Sequence, residues 1–480
     1  MGENNSQRFA AIDQGTTSTR LVITEANGAA SVPFSVRHHT TYPQQGWVEQ
    51  DANELLLNVQ LCLTHAGDIT AIGMANQGES CLAWDAKTGE PLSPVIVWQD
   101  NRTSGTIERL RTQGLEQLTL DRAGLPLDPY FSASKLHWLV ENIPAVKQAY
   151  QEKRLHIGTT DAFFLERLTG QFVTDVTTAS RTSLMNLSTQ TWDDTLCARF
   201  GVPLECLPTI SASVANFGTL ANGVPITASL VDQQASLYGH GCRNPGDIKM
   251  TFGTGAFMLM VTGDRRPNAP EGLLATTAWQ MDNSLTYACE GGIYHASAAI
   301  EWAKKLGLFH HYQEIEQFAQ PPAIERELVF IPALSGLAAP FWDRSASGLW
   351  IGMDGGTSAS CLCQSILEGV ALRAAQVINA MPHLENSHAR LSIDGGLTNN
   401  PYFVQFLADV LQRDVITSSF TELTGFGCAA LAAYGANGSN LVIQNDEHIY
   451  TPQISGQLAQ KWLATFDRAL TFSRGWKKTP

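Results

Sequence analysis

No stretch of this sequence stays apolar over the roughly 20 residues a helix needs to cross a bilayer, and Met1 to Arg8 hold no apolar core of the secretory kind. Membrane insertion is therefore not expected. Basic residues are scarce as well. Against 45 acidic side chains there are 31 Lys and Arg, giving a net charge of −14 and a pI near 5.3. That balance argues against nucleic acid or an anionic membrane as the main partner. It does not forbid a small anionic ligand, because local donors can hold phosphate against an acidic background. Metal-knuckle and redox cysteine spacings are also missing. The nine cysteines are scattered, and the one close pair, Cys361-x-Cys363, fits neither a zinc knuckle nor a C-x-x-C motif. Reduced cysteines and a cytoplasmic location are the expectation. With 44% hydrophobic and 16% charged residues the composition is globular, and 480 residues exceed what one core serves, so two domains are expected.

What is present is a succession of apolar runs that end in short polar loops. Phe9 to Ile12 is apolar, Asp13-Gln14-Gly15-Thr16-Thr17-Ser18-Thr19-Arg20 is polar, and Leu21 to Ile23 is apolar again, which predicts a β-hairpin with a hydroxyl-rich tip. Backbone N–H groups beside Gly15 and the hydroxyls of Thr16, Thr17 and Ser18 would donate to an anion there, with Asp13 placed to hold a cation at one remove. Alone, the window reads equally well as a structural turn. Asp51 or Asn53 caps a helix carrying Leu56, Val59 and Leu63 on one face. Ile69 to Met74 is a buried strand that runs into Asn76-Gln77-Gly78-Glu79-Ser80. Cys81–Trp84 and Pro94–Trp98 are strands around a turn. This order of strands and helices predicts layered α/β architecture.

Pro129 then sets the entry to a helix over 132–142, capped by a serine, with Leu136, Leu139 and Val140 inward. His156–Gly158 is a strand and Asp161–Leu168 a helix. The hydroxyl-rich segment Thr174 to Asn186 is expected to be a loop lying over the domain. Ile226–Leu230 is a strand followed by Val231-Asp232-Gln233-Gln234, which puts a carboxylate and an amide at a strand's carboxyl end, where α/β sites lie. Beyond Gly239-His240-Gly241 the pattern restarts. Asp247–Phe252 leads into Gly253-Thr254-Gly255 and an apolar return, Phe257–Val261, so a second hairpin echoes the first. This weak repeat places a domain boundary near residue 241, dividing the chain into 1–241 and 242–480. Cys361 to Leu384 carries Ile366, Val370, Val377 and Met381 at helical spacing. Leu391–Asp394 is a strand ending in Gly395-Gly396. Asn400 and Pro401 open another helix as cap and first residue, and a last helix falls within Gly427–Tyr434.

Three glycine-bearing strand ends, D-Q-G-T-T-S-T, F-G-T-G and D-G-G, in two halves that each open on a hairpin, resemble the actin-like ATPase superfamily. Longer stretches narrow the resemblance. Tyr130-x-Ser132-x-x-Lys135-Leu136-x-Trp138-Leu139-x-Glu141-Asn142 matches the first signature of the FGGY carbohydrate kinases at every defined position. Gly348-x-Trp350-x-Gly352-Met353 with Leu362-x-x-Ser365-Ile366-Leu367-Glu368 resembles the second, Cys361 departing where that signature has a polar residue. Within the family the chain is most similar to the members that phosphorylate glycerol. The shared motifs are A-I-D-Q-G-T-T-S-T-R, G-W-V-E-Q-D, I-V-W-Q, D-P-Y-F-S, T-x-x-x-x-A-S-R-T, D-Q-Q-A, F-G-T-G-x-F-M-L-M and E-G-L-L-A-T-T, spread from about residue 9 to about residue 435.

The resemblance implies two actin-like (ribonuclease H-like) α/β domains flanking a cleft. It implies a kinase using ATP and Mg2+ to phosphorylate a primary hydroxyl of glycerol or a closely related short polyol. Carried over residue by residue, it makes Asp232 the general base and Asp13 the organiser of Mg2+. Thr16, Thr17, Ser18 and Arg20 form the first phosphate loop, and Gly253, Thr254 and Gly255 the second. Ser297, Glu301, Gly396 and Asn400 face the adenosine, although Asn400 reads equally as a plain helix cap. Glu79, Tyr130, Asp232 and Gln233 hold the acceptor's hydroxyls, while Trp98 and Phe257 wall its carbon chain.

The departures matter. Glycerol-phosphorylating members read N-Q-R-E where this chain has Asn76-Gln77-Gly78-Glu79. Losing a charged donor from a buried site costs roughly 1.5–3 kcal/mol, about tenfold to a hundredfold in affinity, unless something replaces it. Either a water or another side chain fills the space, or the acceptor is a larger polyol or ketose such as erythritol, threitol or a pentulose. Ser297 and Glu301 stand where glycine and glutamine are usual. The glycine-rich loop that binds fructose 1,6-bisphosphate in bacterial relatives is missing between Leu220 and Pro225, and the Leu308–Leu328 segment is short, so inhibition by that bisphosphate is not expected. A silent nucleotide-binding sensor or scaffold would have no need of both Asp13 and Asp232. The expected partner is a small-molecule polyol, not nucleic acid, and the sequence leaves a homo-oligomer open.

Overall fold

The computed structural model describes residues 7–268, 272–384 and 389–477. Glu271, which opens the E-G-L-L motif, and most of the N-terminal polar segment lie outside the described residues. Two mixed sheets organise the chain. The first contains β1 (Arg8–Gln14), β2 (Ser18–Glu25), β3 (Ala30–Arg37), β4 (Ala71–Asn76) and β5 (Ile226–Val231), in the order β5-β4-β1-β2-β3. The β1–β2 hairpin is antiparallel with Asp13 opposite Arg20, and β4 and β5 add in parallel. Both faces of β1 are covered. Ala10 and Ile12 enter one core with Leu55 and Val59 of the Ala52–Thr64 helix, while Phe9 and Ala11 enter another with Phe426 and Ala429, as the period of 2 in a strand dictates. Asp51 caps that first helix, accepting from the N–H groups of Asn53 and Glu54.

The second sheet contains β6 (Ile248–Phe252), β7 (Ala256–Gly263), β8 (Leu274–Met281), β9 (Ser284–Ile293), β10 (Leu391–Gly395), β11 (Val415–Ser418) and β12 (Glu447–Tyr450), in the order β8-β9-β7-β6-β10-β11-β12. Here β6 pairs antiparallel with β7 and parallel with β10, as β1 does with β2 and β4. The repeat read from the sequence is thus a repeat of topology. Between the sheets cross the helices Asp232–Gly239 and Leu423–Asn437. A Cβ on Gly239 would lie 1.9 Å from the carbonyl oxygen of Leu423, and one on Gly427 would lie 2.0 Å from that of Ala235, so the backbones themselves touch. The second of these helices follows the second sheet in sequence yet packs on β1 and β4 of the first.

Several expectations need correction. Thr174 to Met185 is not a surface loop but is buried throughout. Its hydroxyls are met from within the protein: Thr174 donates to Asp161 at 2.6 Å, Ser180 and Thr182 donate to the carbonyls of Thr177 and Ala179, and Asp175 accepts from the backbone N–H of Thr177 and Thr178 at 2.8 and 2.9 Å and from the hydroxyls of Thr177, Thr178 and, outside the segment, Ser213 at 2.7–2.9 Å. Such a self-satisfied cluster has no need of water. The Ser132–Asn142 helix has no side-chain cap, and Ser132 instead donates to the carbonyl of Glu79 at 3.0 Å. The strand expected over Pro94–Trp98 is two residues long, Val95–Ile96. The helix within Gly427–Tyr434 extends over Leu423–Asn437, and beyond it lies another, Gly456–Ser473, with Ala459, Trp462, Phe466 and Leu470 inward. All nine cysteines are free. Among the described residues one helix, Ala359–Ala380, is long and apolar enough to cross a membrane, and it is packed inside the second core.

Candidate active site

Strand ends of both sheets converge on one cleft. At its closed end is a pocket lined by Thr16, Glu79, Trp98, Tyr130, Asp232, Gln233 and Phe257, with Gly78, Arg181 and Glu290. Every residue that the sequence assigned to the acceptor is therefore brought together. Glu79 enters by an unusual turn. Its φ is +60°, and the Ser80 N–H donates to the Gly78 carbonyl at 2.7 Å across it, a three-residue turn that a non-glycine residue adopts only under strain. Ser132 holds the Glu79 carbonyl, and the buried Lys135 ammonium donates to the Tyr130 carbonyl at 2.7 Å. Trp98 donates from Nε1 to the Thr16 hydroxyl at 3.0 Å and meets Tyr130 edge-on, with ring centroids 5.6 Å apart. The pocket lining is part aromatic and part polar.

The carboxylates are poised by burial. Desolvation, then the neighbouring charge of Asp13, pushes Asp232 up to about 7, while Lys249 and Arg181 pull the other way. Desolvation also raises Asp13 to about 6 against the pull of Arg20. Burial raises Glu79 to about 6, opposed chiefly by Arg181. Lys249, 1% exposed on β6, donates from Nζ to Gln233 Oε1 at 2.9 Å, orienting that amide beside Asp232. Two buried carboxylates, one of them raised further by the charge of the other, mark a place where positive charge is favoured.

The two hairpin tips lie along the same cleft. Gly15 donates to the Ser18 carbonyl at 3.1 Å, closing the first tip, where Thr17 is exposed and Ser18 buried. At the second tip the Gly253 carbonyl accepts from Ser297 N–H at 3.0 Å, and the Thr254 carbonyl from Ala296 and Ala298 at 2.9 and 3.1 Å, seating the tip on the start of the Ser297–Lys305 helix. A Cβ on Gly255 would lie 2.4 Å from the Ile293 carbonyl oxygen, so only glycine fits. Gly396 lies beside Ser297, whose hydroxyl would be 3.8 Å from a Cβ there. Arg20 is engaged by Glu422 at 3.1 Å and Asp13 at 3.7 Å. Glu301 accepts from the Tyr312 hydroxyl. Asn400 caps its helix, accepting from Phe403 N–H at 2.9 Å and donating to the Ile315 carbonyl at 2.8 Å.

Three polar residues of the cleft escaped the sequence reading: Arg181, Glu290 and Lys249. Arg181 is in view within A-S-R-T, but the hydroxyl-rich composition of its segment predicts a surface loop. Glu290 and Lys249 are lone charges inside apolar strands, β9 and β6, a signal in itself because unpaired buried charge is costly.

Residues 9–239 match the model of the FGGY family of carbohydrate kinases, N-terminal domain, and residues 248–436 match that of its C-terminal domain. The chain belongs to the FGGY family of carbohydrate kinases. It is 37% identical to a glycerol kinase of Alkalilimnicola ehrlichii, over 98% of this chain and 99% of that protein. It is 38% identical to one of Acinetobacter baylyi, over 89% and 90%. Among solved structures it superposes on Plasmodium falciparum glycerol kinase with ADP at a TM-score of 0.88, with 27% identity and 98% of each chain covered. A xylulose kinase from Rhodospirillum rubrum gives 0.86 at 22% identity, over 97% of this chain and 99% of that one, and shares the fold.

As an FGGY kinase the chain is a phosphotransferase with an alcohol acceptor, using ATP and Mg2+. The residues present fit both groups. A divalent cation answers two buried carboxylates, Asp13 and Asp232, and the open space beside Gly253 leaves room for phosphate. The family signatures act mostly as supports. Lys135 and Ser132 hold Tyr130 and Glu79, and Trp138 stacks on Arg102. Trp350 donates to Ser365 at 3.0 Å, and Glu368 accepts from Ala323 and Ile324 N–H and from the Tyr402 hydroxyl.

Proposed function

We propose that this kinase transfers the γ-phosphoryl group of ATP to a primary hydroxyl of glycerol. The observation that carries the reading is the mixed lining of the pocket. Glu79, Asp232, Gln233 and Arg181 supply polar groups for hydroxyls, while Trp98, Tyr130 and Phe257 supply apolar surface for the C–H edge of a short chain. The glycerol kinases at 37% and 38% identity support it. Asp232 accepts the proton of the attacking hydroxyl as the new O–P bond forms and the bond to the leaving ADP oxygen breaks. Glu79, Tyr130 and Gln233 orient the acceptor so that one primary hydroxyl faces Asp232. Mg2+, organised by Asp13 through water, supplies charge neutralisation on the phosphates. Thr16, Thr17, Ser18 and Arg20 on one side and Gly253, Thr254 and Gly255 on the other hold the phosphate chain. Ser297 and Gly396 border the adenosine, with Glu301 further along the same helix and Asn400 fixing the turn beneath.

In this reading 1–241 and 242–480 are the two moving units, the enzyme is cytoplasmic, and its partners are small molecules. A four- or five-carbon acceptor is the less favoured reading, because the space beside Gly78 is taken: a Cβ there would already lie 3.1 Å from Val231 Cγ1 and 4.0 Å from Arg181 Cγ. A coupled ADP-release assay across glycerol, erythritol, threitol and xylulose tests the reading, with Asp232→Asn as control. Glycerol should give the highest kcat/KM. Absence of turnover on all four, or turnover untouched by the substitution, would sink it.

A further inference from the structure

Asp232 opens a helix that has no side-chain cap. Val231 stands at the cap position, with φ −65° and ψ 145°, so the strand-to-helix corner that carries this carboxylate has no capping bond of its own. β5 is an edge strand of the first sheet. On the edge turned away from β4, Ser229 N–H donates to the Ser213 carbonyl and Val231 N–H to the Thr177 hydroxyl, both at 3.0 Å. The last rung is therefore a side chain standing where a backbone carbonyl would be. A hydroxyl can turn to donate or to accept, and it serves an N–H only when its own proton is engaged elsewhere. Asp175 engages it, since Thr177 Oγ1 donates to Asp175 Oδ1 at 2.9 Å. Burial, then the neighbouring Asp161, pushes Asp175 up to about 6, so at neutral pH it is ionised and can only accept. Asp175, Thr177 and Ser213 are fully buried, which leaves water no part in the arrangement.

We propose that Asp175 and Thr177 are positioning residues for phosphoryl transfer: the carboxylate commits the Thr177 proton, the hydroxyl holds the Val231 N–H, and the peptide so anchored aims Asp232 at the acceptor. This rests on the reading of Asp232 as the base. Neither residue lines the acceptor pocket, so both act through the backbone that carries Asp232. Misplacing a reacting group by about 1 Å costs about a hundredfold in rate, which is the scale on which such a hold matters. A second branch leaves the same carboxylate. Ser213 donates from Oγ to Asp175 Oδ2 at 2.9 Å and accepts from Gln280 N–H of β8 at 3.2 Å, tying Asp175 to the second sheet. The two branches share one carboxylate but can be cut separately.

The test follows kcat and KM with glycerol and ATP, with thermal unfolding as the measure of folding. Thr177→Val keeps the shape and removes the hydroxyl; kcat should fall about 10- to 100-fold while the KM for ATP stays within about threefold. Thr177→Ser keeps the hydroxyl and should hold kcat within about threefold of wild type. Asp175→Asn should lower kcat as Thr177→Val does, and the double variant should be no slower than the slower single one, because both cut the same chain of bonds. Ser213→Ala cuts the other branch. It should lower the unfolding temperature and leave kcat within about threefold. If Ser213→Ala slows turnover as much as Thr177→Val, or if Thr177→Ser fails to keep it, the cluster only supports the fold and the proposal is wrong. Full turnover in folded Thr177→Val would overturn it as well. Turnover that survives Asp232→Asn would instead refute the base reading beneath it.

Discussion

Replacing Gly78 with arginine would place a second guanidinium beside the first. The new Cβ would sit 3.1 Å from Val231 Cγ1, tighter than ordinary van der Waals contact, with the Arg181 stem next in line at 4.0 Å. Overpacking of this kind costs about 1–3 kcal/mol. Like charges add to it: two unit charges about 5 Å apart repel by ~3 kcal/mol at an effective dielectric constant of about 20. Glu79, Glu290 and Asp232 recover part of that, leaving a net penalty of about 1–3 kcal/mol, or roughly 5- to 150-fold in acceptor affinity. Initial rates at saturating ATP over a glycerol series, for wild-type and Gly78→Arg, measure the effect as KM, with the KM for ATP as the internal control. We expect a higher KM for glycerol and an unchanged one for ATP. A lower KM for glycerol would refute the reasoning, because it would mean that the pocket lacked a donor that Arg181 does not supply.

Other perturbations follow from the same geometry. The base must be ionised to accept a proton and its folded-state value is raised to about 7, so kcat/KM should fall about tenfold per pH unit below that point. Lys249→Met removes a cation that lowers the value, and should move this acid limb to higher pH; an unmoved limb would show that Lys249 does not act on Asp232. Gly255→Ala forces a methyl against the Ile293 carbonyl at 2.4 Å, and should raise the KM for ATP while leaving that for glycerol close to wild type. Leu220–Pro225 closes as a tight turn, with Leu220 and Val224 bonded at 2.8 Å, so millimolar fructose 1,6-bisphosphate should leave the rate unchanged in a kinase assay.

The two hairpins were legible because an apolar run, a hydroxyl-rich tip and an apolar return can hardly be anything else, and Asp13 and Thr254 inherit their places from that pattern. Asp232 was legible from its position at a strand's carboxyl end. Arg181 was hidden for the opposite reason. Its segment has the composition of a solvated loop, and only the folded chain shows the hydroxyls turned onto Asp161, Asp175 and nearby carbonyls rather than onto water. Asn400 carries two compatible readings, cap and adenosine neighbour, and the folded chain shows the cap, with the amide nitrogen donating to the Ile315 carbonyl. The Leu423–Asn437 helix could be found by its alanines, but which sheet it covers depends on contacts more than 400 residues apart in sequence, such as Arg20 with Glu422.

That helix crosses Asp232–Gly239 through bare backbone at Gly239 and Gly427. Most helix pairs interlock through ridges of side chains, which ratchet from one seating to the next when the helices rotate. Where backbone meets backbone there are no such teeth, and in the two-unit reading proposed above that point would serve as a plain bearing. Resistance to closing would then reside at the rim, in ion pairs such as Arg181 with Glu290, rather than at the axle. Since Asp232 is the first residue of one of the crossing helices, the proposed base would be mounted on the shaft and would move least as the cleft shut.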